Sequence, residues 1–272
     1  MFKTQTLKRL LSLTLPSFPV ALVSHVALAG SLNLVPTKNV QALTPENFCV
    51  GMGNVLKTIK QTITDEAALL CPNGVPSATL KALVATPYTG AGTPNMVTLA
   101  STEFKDTTSS LITVAYSMKV PKNAVKALLG EEKHVNAVYK GDNLSISAKF
   151  LPPPINTGEA DTAFQLEQRT TVVDKVSFDE ASVHDLRLYR MFPNNFDMMM
   201  AVRTLNKPSE QFRKAVVIRG VMNDPNDPNQ ALSFSLLSFL MNSRNQHDRV
   251  IAAFSKFIEV DFMTLYSEQT KP

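Results

Sequence analysis

The feature that most constrains the fold is an alternation of apolar and polar residues that recurs between residues 111 and 240. In LITVAYSMKV, which starts at Leu111, every second residue from Ile112 is apolar, and NLSISAKF at 143–150 repeats the pattern. A period of two places successive side chains on opposite sides of a β-strand. Both segments are therefore predicted to be strands with one side buried and the other facing water.

Later segments extend the same pattern into a sheet. Further strands are predicted at 163–173, 182–191, 196–205, 212–222 and 231–240. Their connections, such as FPNN, NKPSE and NDPNDPN, are short and rich in turn-forming residues. Consecutive strands with such links predict an antiparallel meander.

The end of the chain predicts a long helix. Its apolar residues recur at spacings of three and four, and they are Val250, Ile251, Phe254, Phe257, Ile258, Phe262 and Leu265. Such a stripe has to pack against an apolar partner, and a curved antiparallel sheet would supply one. A shorter helix is predicted at 122–129, between the first two strands.

The N-terminal half contains both cysteines of the chain, Cys49 and Cys71. In one continuous helix their separation would span about 33 Å, whereas a disulfide requires Cα atoms within about 7 Å. Two cysteines in an exported protein most often pair with each other. A disulfide between Cys49 and Cys71 therefore requires the chain to fold back between them.

Helix signals in this region show where the chain turns back. Thr44-Pro45 is typical of a helix start, and a second start at Thr64 is followed by a stop at Pro72-Asn73-Gly74. We predict a disulfide-clamped helical hairpin and a third short helix at 77–84. The predicted fold class is α+β, with this hairpin in region 30–105 and a curved antiparallel sheet packed on a long C-terminal helix in region 106–272.

Residues 1–29 resemble a secretory signal peptide. Lys3, Lys8 and Arg9 precede an apolar run that ends in the small-residue triplet Ala27-Leu28-Ala29. The alternative is an N-terminal hydrophobic helix that stays in the fold. We predict export to the periplasm or the extracellular space, without a membrane span, because no other apolar run reaches the length that a spanning helix needs.

Charge and motifs argue against several classes of function. The chain carries a formal charge of +4, of which residues 1–29 contribute +3, leaving +1 on the rest. Without a concentrated basic region we expect no nucleic-acid binding. We also expect no cofactor and no metal, because GMGNVL at 51–56 lacks the third glycine of a dinucleotide fingerprint and no histidine has a ligand partner at a useful spacing.

The order of elements over residues 108–268 resembles the helix-grip fold of the START-like lipid-transfer, polyketide-cyclase and coenzyme Q-binding families. The shared order is a strand, a short helical segment (KNAVKALLGEEKH), a run of antiparallel strands and a long C-terminal helix. The resemblance implies a cavity between sheet and helix that takes an apolar, lipid-like ligand. It covers element order alone, with no short motif, and it assigns no individual ligand residue.

The composition of the strands suggests candidate residues for such a cavity. FDMMMAVR at 196–203 is rich in methionine, which fills irregular cores and can also form a flexible apolar ligand wall. The candidate ligand-binding residues are Tyr116, Met118, Tyr189, Met198, Met200, Phe254 and Phe257. Asp185 and Arg187 share one side of their strand with Tyr189, which is typical of a solvated face or of polar groups in a pocket.

These observations lead to three hypotheses of function. The first is a non-catalytic exported protein that binds an apolar small molecule between sheet and helix. The second is an interaction module that binds another exported protein through the helical hairpin. The third is a hydrolase or cyclase that uses His184 or Asp185, although no segment carries a recognised catalytic signature.

Overall fold

The computed structural model describes residues 44–58, 64–103, 109–121, 144–151, 162–172, 178–192, 195–224 and 227–242, together with Ser255, Ile258, Glu259 and Phe262. The described helices are α1 (Pro45–Thr58), α2 (Thr64–Leu70), a 3-10 turn (Pro72–Gly74) and α3 (Ala78–Ala85). The described strands are β1 (Met96–Glu103), β2 (Ser110–Pro121), β3 (Leu144–Leu151), β4 (Thr162–Val172), β5 (Phe178–Phe192), β6 (Asn195–Leu205), β7 (Phe212–Asn223) and β8 (Gln230–Met241).

All eight strands form one antiparallel sheet in the order β1-β2-β8-β7-β6-β5-β4-β3. Strands β3 to β8 are the predicted meander, each pairing with the next along the chain. Strand β8 then pairs with β2, so the first two strands extend the sheet beyond the last one. The α+β class and the antiparallel sheet predicted from the sequence are confirmed.

Strand β1 was not predicted. It is an edge strand, and its pairing with β2 shifts register between Thr98 and Ala100. A bulge breaks the alternation on which the strand predictions depended. Residues 96–103 therefore belong to the sheet, whereas the predicted boundary at 105 groups them with the helices.

Helices α1 and α3 begin close to their predicted starts, and a side chain caps the first turn of each. The backbone N–H of Asn47 donates to Oγ1 of Thr44 at 3.1 Å, and the N–H of Leu80 donates to Oγ of Ser77 at the same distance. These bonds satisfy amide groups that the first turn of a helix leaves without an intrahelical acceptor. After α2 the chain reverses through Asn73 and Gly74, both of which have positive φ.

The predicted disulfide is confirmed. Cys49 in α1 is bonded to Cys71 just after α2, and their Cα atoms are 5.5 Å apart. Both residues are buried in the core that the helices share with the sheet. The helical hairpin is therefore covalently closed and also packed on the strands.

Each face of the sheet has its own hydrophobic core. One face, here called the hairpin face, packs against α1–α3 through Ala115, Met200, Ile218 and Phe234, among others. The other face, here called the arginine face for two residues described below, carries a separate core built around β2. The apolar alternation predicted in β2 lies on the arginine face, where Ile112, Val114, Tyr116, Met118 and Val120 are all buried.

Phe48 is the main contact between α1 and the sheet. Its side chain is fully buried, and its ring packs edge-on against Phe234 with 5.2 Å between centroids. Gly220 in β7 pairs with Phe234 in β8 and lies directly beneath the Phe48 ring. The absence of a side chain at Gly220 makes room for this ring.

Most of the predicted C-terminal helix lies outside the described residues, as does the helix predicted at 122–129. Ser255, Ile258, Glu259 and Phe262 are described, and all four are helical. Ile258 and Phe262 are buried in the core of the arginine face. Within the described part of the chain, none of the helices combines the length and the apolar character that crossing a bilayer requires.

Candidate ligand-binding face

The structure separates the candidate ligand-binding residues between the two faces. Tyr116 and Met118 lie in the core of the arginine face, together with the described C-terminal helical residues. Tyr189 and Met200 lie in the core of the hairpin face, beneath α1–α3. Met198 is part of β6 and pairs with Met222, but its side chain is outside the described residues. Phe254 and Phe257 are also outside them.

A stripe of polar residues crosses the arginine face. It has one member on each of six neighbouring strands. The members of this polar stripe are Tyr116 (β2), Ser235 (β8), Arg219 (β7), Arg203 (β6), His184 (β5) and Gln168 (β4).

The strand register makes this polar stripe diagonal. Tyr116, Ser235 and Arg219 are direct cross-strand partners. Beyond Arg219 the polar stripe moves along each strand. Arg219 pairs with Ala201, which is two residues from Arg203. Arg203 pairs with Leu186, two residues from His184, and His184 pairs with Leu166, two residues from Gln168. A displacement of two residues keeps every member on the same face.

Arg219 holds the β2 end of the polar stripe together. Its Nε donates to Oγ of Ser235 at 3.0 Å, and one of its terminal nitrogens donates to the Tyr116 hydroxyl at 3.0 Å. These bonds give polar partners to a hydroxyl that is otherwise buried among apolar side chains. The next hydroxyl along β8 on this face, that of Ser233, is buried without a hydrogen-bond partner.

Arg203 lies at the centre of the polar stripe. One of its terminal nitrogens donates to Oε1 of Gln168, while its Nε is buried without an acceptor. Burial and the nearby positive charge of Arg219 together lower the pKa of Arg203 to about 10. Among the described residues, no carboxylate pairs with this guanidinium.

His184 is buried beside Arg203. Its Nε2 is 2.8 Å from Oγ of Ser182, and its Nδ1 is buried without a partner. Burial, and secondly the charge of Arg203, lower the pKa of His184 from 6.5 to about 2. The imidazole is therefore neutral at physiological pH.

Acid is expected to destabilise the protein through His184. The unfolded chain binds this proton near pH 6.5 and the folded chain only near pH 2, so stability is fully present above pH 6.5 and falls below it. The loss is about 1.4 kcal/mol per pH unit, or about 2 kcal/mol between pH 6.5 and 5. Urea unfolding should show a shallower pH slope for His184→Gln, which does not titrate; equal slopes would contradict the assignment.

Apolar side chains flank the polar stripe and meet the helical residues near the C-terminus. Tyr88 packs edge-on against Phe262 with 4.9 Å between ring centroids. Gly90, in the same loop, has φ of 92° and lies so close to Phe262 that a methyl group there would come within 2.3 Å of the ring. This loop therefore packs against the helical residues at one end of the arginine face.

Asp185, which neighbours His184 in β5, belongs to the hairpin face. Its Oδ1 accepts from Gln165 at 3.0 Å and from Asn206 at 2.9 Å, and Arg187 pairs with its other oxygen at 3.4 Å. His184 and Asp185 therefore face opposite sides of the sheet. The hydrolase or cyclase hypothesis, which uses His184 or Asp185, therefore requires one of these side chains without the other.

The polar stripe was missed in the sequence analysis. Arg203 and Arg219 follow the alternation of their strands into a buried face, where arginines are rare. The signal in the sequence for this stripe was the presence of arginines at inward positions of β6 and β7. The signal was ambiguous because the two faces of those strands are both largely buried, so neither side is uniformly polar.

Comparison with known proteins gave matches among solved structures alone: no family model matches the chain, and neither does any curated protein. Human STARD10 matches at 9% identity over 61% of this chain and 72% of that one, with a TM-score of 0.39. The lipid transfer and protein localization domain of human StarD13 matches at 10% identity over 69% and 93%, with a TM-score of 0.37. A START superfamily protein from Mycobacterium smegmatis matches at 13% identity over 56% and 98%, with a TM-score of 0.33. These are structural matches to the family that the order of elements resembles.

Proposed function

We propose that the protein binds an apolar, lipid-like small molecule between the arginine face of its sheet and its C-terminal helix. In this proposal the four helical residues between Ser255 and Phe262 belong to the long helix that the sequence predicts, and the helix lies over the arginine face. Tyr116 and Met118 keep their proposed role as ligand contacts. Tyr189 and Met200 are reassigned to packing beneath the N-terminal helices.

One observation carries the proposal: four polar atoms of the arginine face are buried without hydrogen-bond partners. They are Nε of Arg203, Nδ1 of His184, Oγ of Ser233 and Oε1 of Glu180. An unsatisfied buried polar group costs about 1–3 kcal/mol, so proteins rarely leave several together on one apolar face. A bound molecule with an apolar body and a polar end would satisfy these atoms and cover the side chains around them.

The first test is to extract the purified protein with organic solvent under denaturing conditions and analyse the extract by mass spectrometry. We expect a lipid or another apolar molecule in stoichiometric amount. A Val217→Trp variant should reduce that amount, because Val217 is half-buried beside Arg203 on the arginine face. Val183→Trp is the matched control, since Val183 is a half-buried valine on the hairpin face of β5. Extracts without any ligand, or equal losses in both variants, would contradict the proposal.

We also propose that the protein acts after export, in the periplasm or outside the cell. The features that support this are the signal-like residues 1–29 and the disulfide, which persists in oxidising compartments. Mass spectrometry of the protein from its native host should find a mature N-terminus near Gly30. A chain that retains residues 1–29 would contradict the proposal.

A second candidate function is binding of an exported protein partner through the helical hairpin. The observation that favours it is the exposure of large apolar side chains on the disulfide-linked segment, where Val50 is 54%, Leu69 37% and Val75 59% exposed. The hairpin also packs on the sheet, so deleting it would uncover a core. Val50→Glu with Val75→Glu is the better test, because these changes should abolish partner binding without loss of stability.

A further inference from the structure

We propose, resting on the function above, that the bound molecule carries one anionic group, a carboxylate or a phosphate, which Arg203 holds at the centre of the polar stripe. The ligand class is therefore an amphipathic acid. Its charged end would lie in the middle of the sheet, and its tail would extend along the apolar residues beside the polar stripe.

Charge is the first argument. Arg203 and Arg219 lie diagonally across neighbouring strands on one face, and Arg219 disfavours the charge on Arg203. Removing a cation from water costs several kcal/mol unless an opposite charge compensates it. Glu180, a described carboxylate on the same face, accepts the backbone N–H of Gln211 at 3.0 Å through Oε2, and its Oε1 is buried without a hydrogen-bond partner, so it does not neutralise Arg203. An anion at Arg203 would supply the missing charge.

Hydrogen-bond geometry is the second argument. Arg203 donates to Gln168 through a terminal nitrogen, which leaves its buried Nε as a donor without an acceptor. His184 offers a further donor when Ser182 donates to Nε2, because the ring proton then lies on Nδ1. Two unsatisfied donors beside a cation suit a carboxylate or phosphate oxygen, which accepts without donating.

Gln168 provides a test that separates ligand binding from a structural role. Its Oε1 already contacts Arg203, so Gln168→Glu would place a carboxylate there with little change in size. The internal carboxylate should then replace the external anion. We expect the affinity for an anionic ligand to fall while the melting temperature stays the same or rises.

The experiment measures binding of dodecanoic acid, dodecyl phosphate and dodecanol to delipidated full-length protein. We expect the wild type to bind at least one of the two acids ten times more tightly than the alcohol, and the tighter acid identifies the head group. In Gln168→Glu this acid-to-alcohol ratio should fall at least tenfold. Arg187→Met, which removes an arginine from the hairpin face of β5, should leave the ratio unchanged.

The outcomes distinguish this inference from the function on which it rests. Equal binding of acid and alcohol by the wild type would overturn the anionic group and leave the apolar site in place. An acid preference that Gln168→Glu does not reduce would place the anion away from Arg203 and would also overturn the inference. Failure of all three molecules to bind would contradict the proposed function itself.

Discussion

Truncation of Phe48 to alanine is expected to lower the free energy of unfolding by about 3–5 kcal/mol. The Phe48 side chain is fully buried between α1 and the sheet, where it contacts Phe234 and covers Gly220. Its removal would leave a cavity between α1 and the sheet, and the disulfide, which ties α1 to the residue after α2, restricts how α1 can shift to fill it. Urea unfolding followed by circular dichroism would measure the loss.

Gly220→Ala completes a double-mutant cycle with Phe48→Ala. A methyl group at Gly220 would lie 2.8 Å from Cε2 of Phe48, so the single substitution should cost about 1–3 kcal/mol through overpacking. In the Phe48→Ala background the same methyl group meets no ring, and its cost should largely disappear.

Gly53→Ala in α1 is the control for this cycle. A methyl group at Gly53 meets nothing within 4 Å, so the change should stabilise the protein by about 0.5–1 kcal/mol through helix propensity.

If the costs of Phe48→Ala and Gly220→Ala simply add, the contact between α1 and β7 does not hold the hairpin to the sheet.

Replacement of both cysteines by alanine is expected to lower the free energy of unfolding by roughly 3 kcal/mol. The bond links residues 22 positions apart. In the chain-entropy model, closing a loop of this size lowers the entropy of the unfolded state and so stabilises the folded state by about this amount. Reduction of the wild type with dithiothreitol should produce a similar loss.

Thiol labelling tests the disulfide independently of stability. The denatured but non-reduced protein should react with no thiol reagent, because the bond uses both cysteines of the chain. Labelling of two thiols per molecule, or equal stability of the double-alanine variant and the wild type, would contradict a stabilising disulfide.

Local patterns predicted most of the secondary structure because each depends on a few neighbouring residues. The alternation in LITVAYSMKV predicted β2, and the capping position at Thr44 predicted the start of α1. Strand β1 was missed because its bulge interrupts the alternation. The meander was predicted from short connections, but the pairing of β2 with β8 joins residues more than a hundred positions apart, and no local signal indicates it.

The candidate site shows the same limit at the level of single residues. Alternation correctly placed Asp185, Arg187 and Tyr189 on one side of β5, yet it could not show that this side faces the N-terminal helices. Tyr116 and Met118 were therefore grouped with Tyr189 and Met200, which the structure places on the opposite face. Relating the faces of separate strands requires their register and order in the sheet.

The sequence by itself determined most of the described strands and helices, though not β1, and which cysteines pair, since propensity, capping and loop closure act over short distances. The tertiary structure alone decided which side of each strand faces the helical hairpin. It also decided that six polar residues, scattered from Tyr116 to Ser235 in the chain, form one diagonal stripe. The physical reason is that residues two positions apart on a strand share one face, and that which of them become neighbours depends on pairing between distant segments.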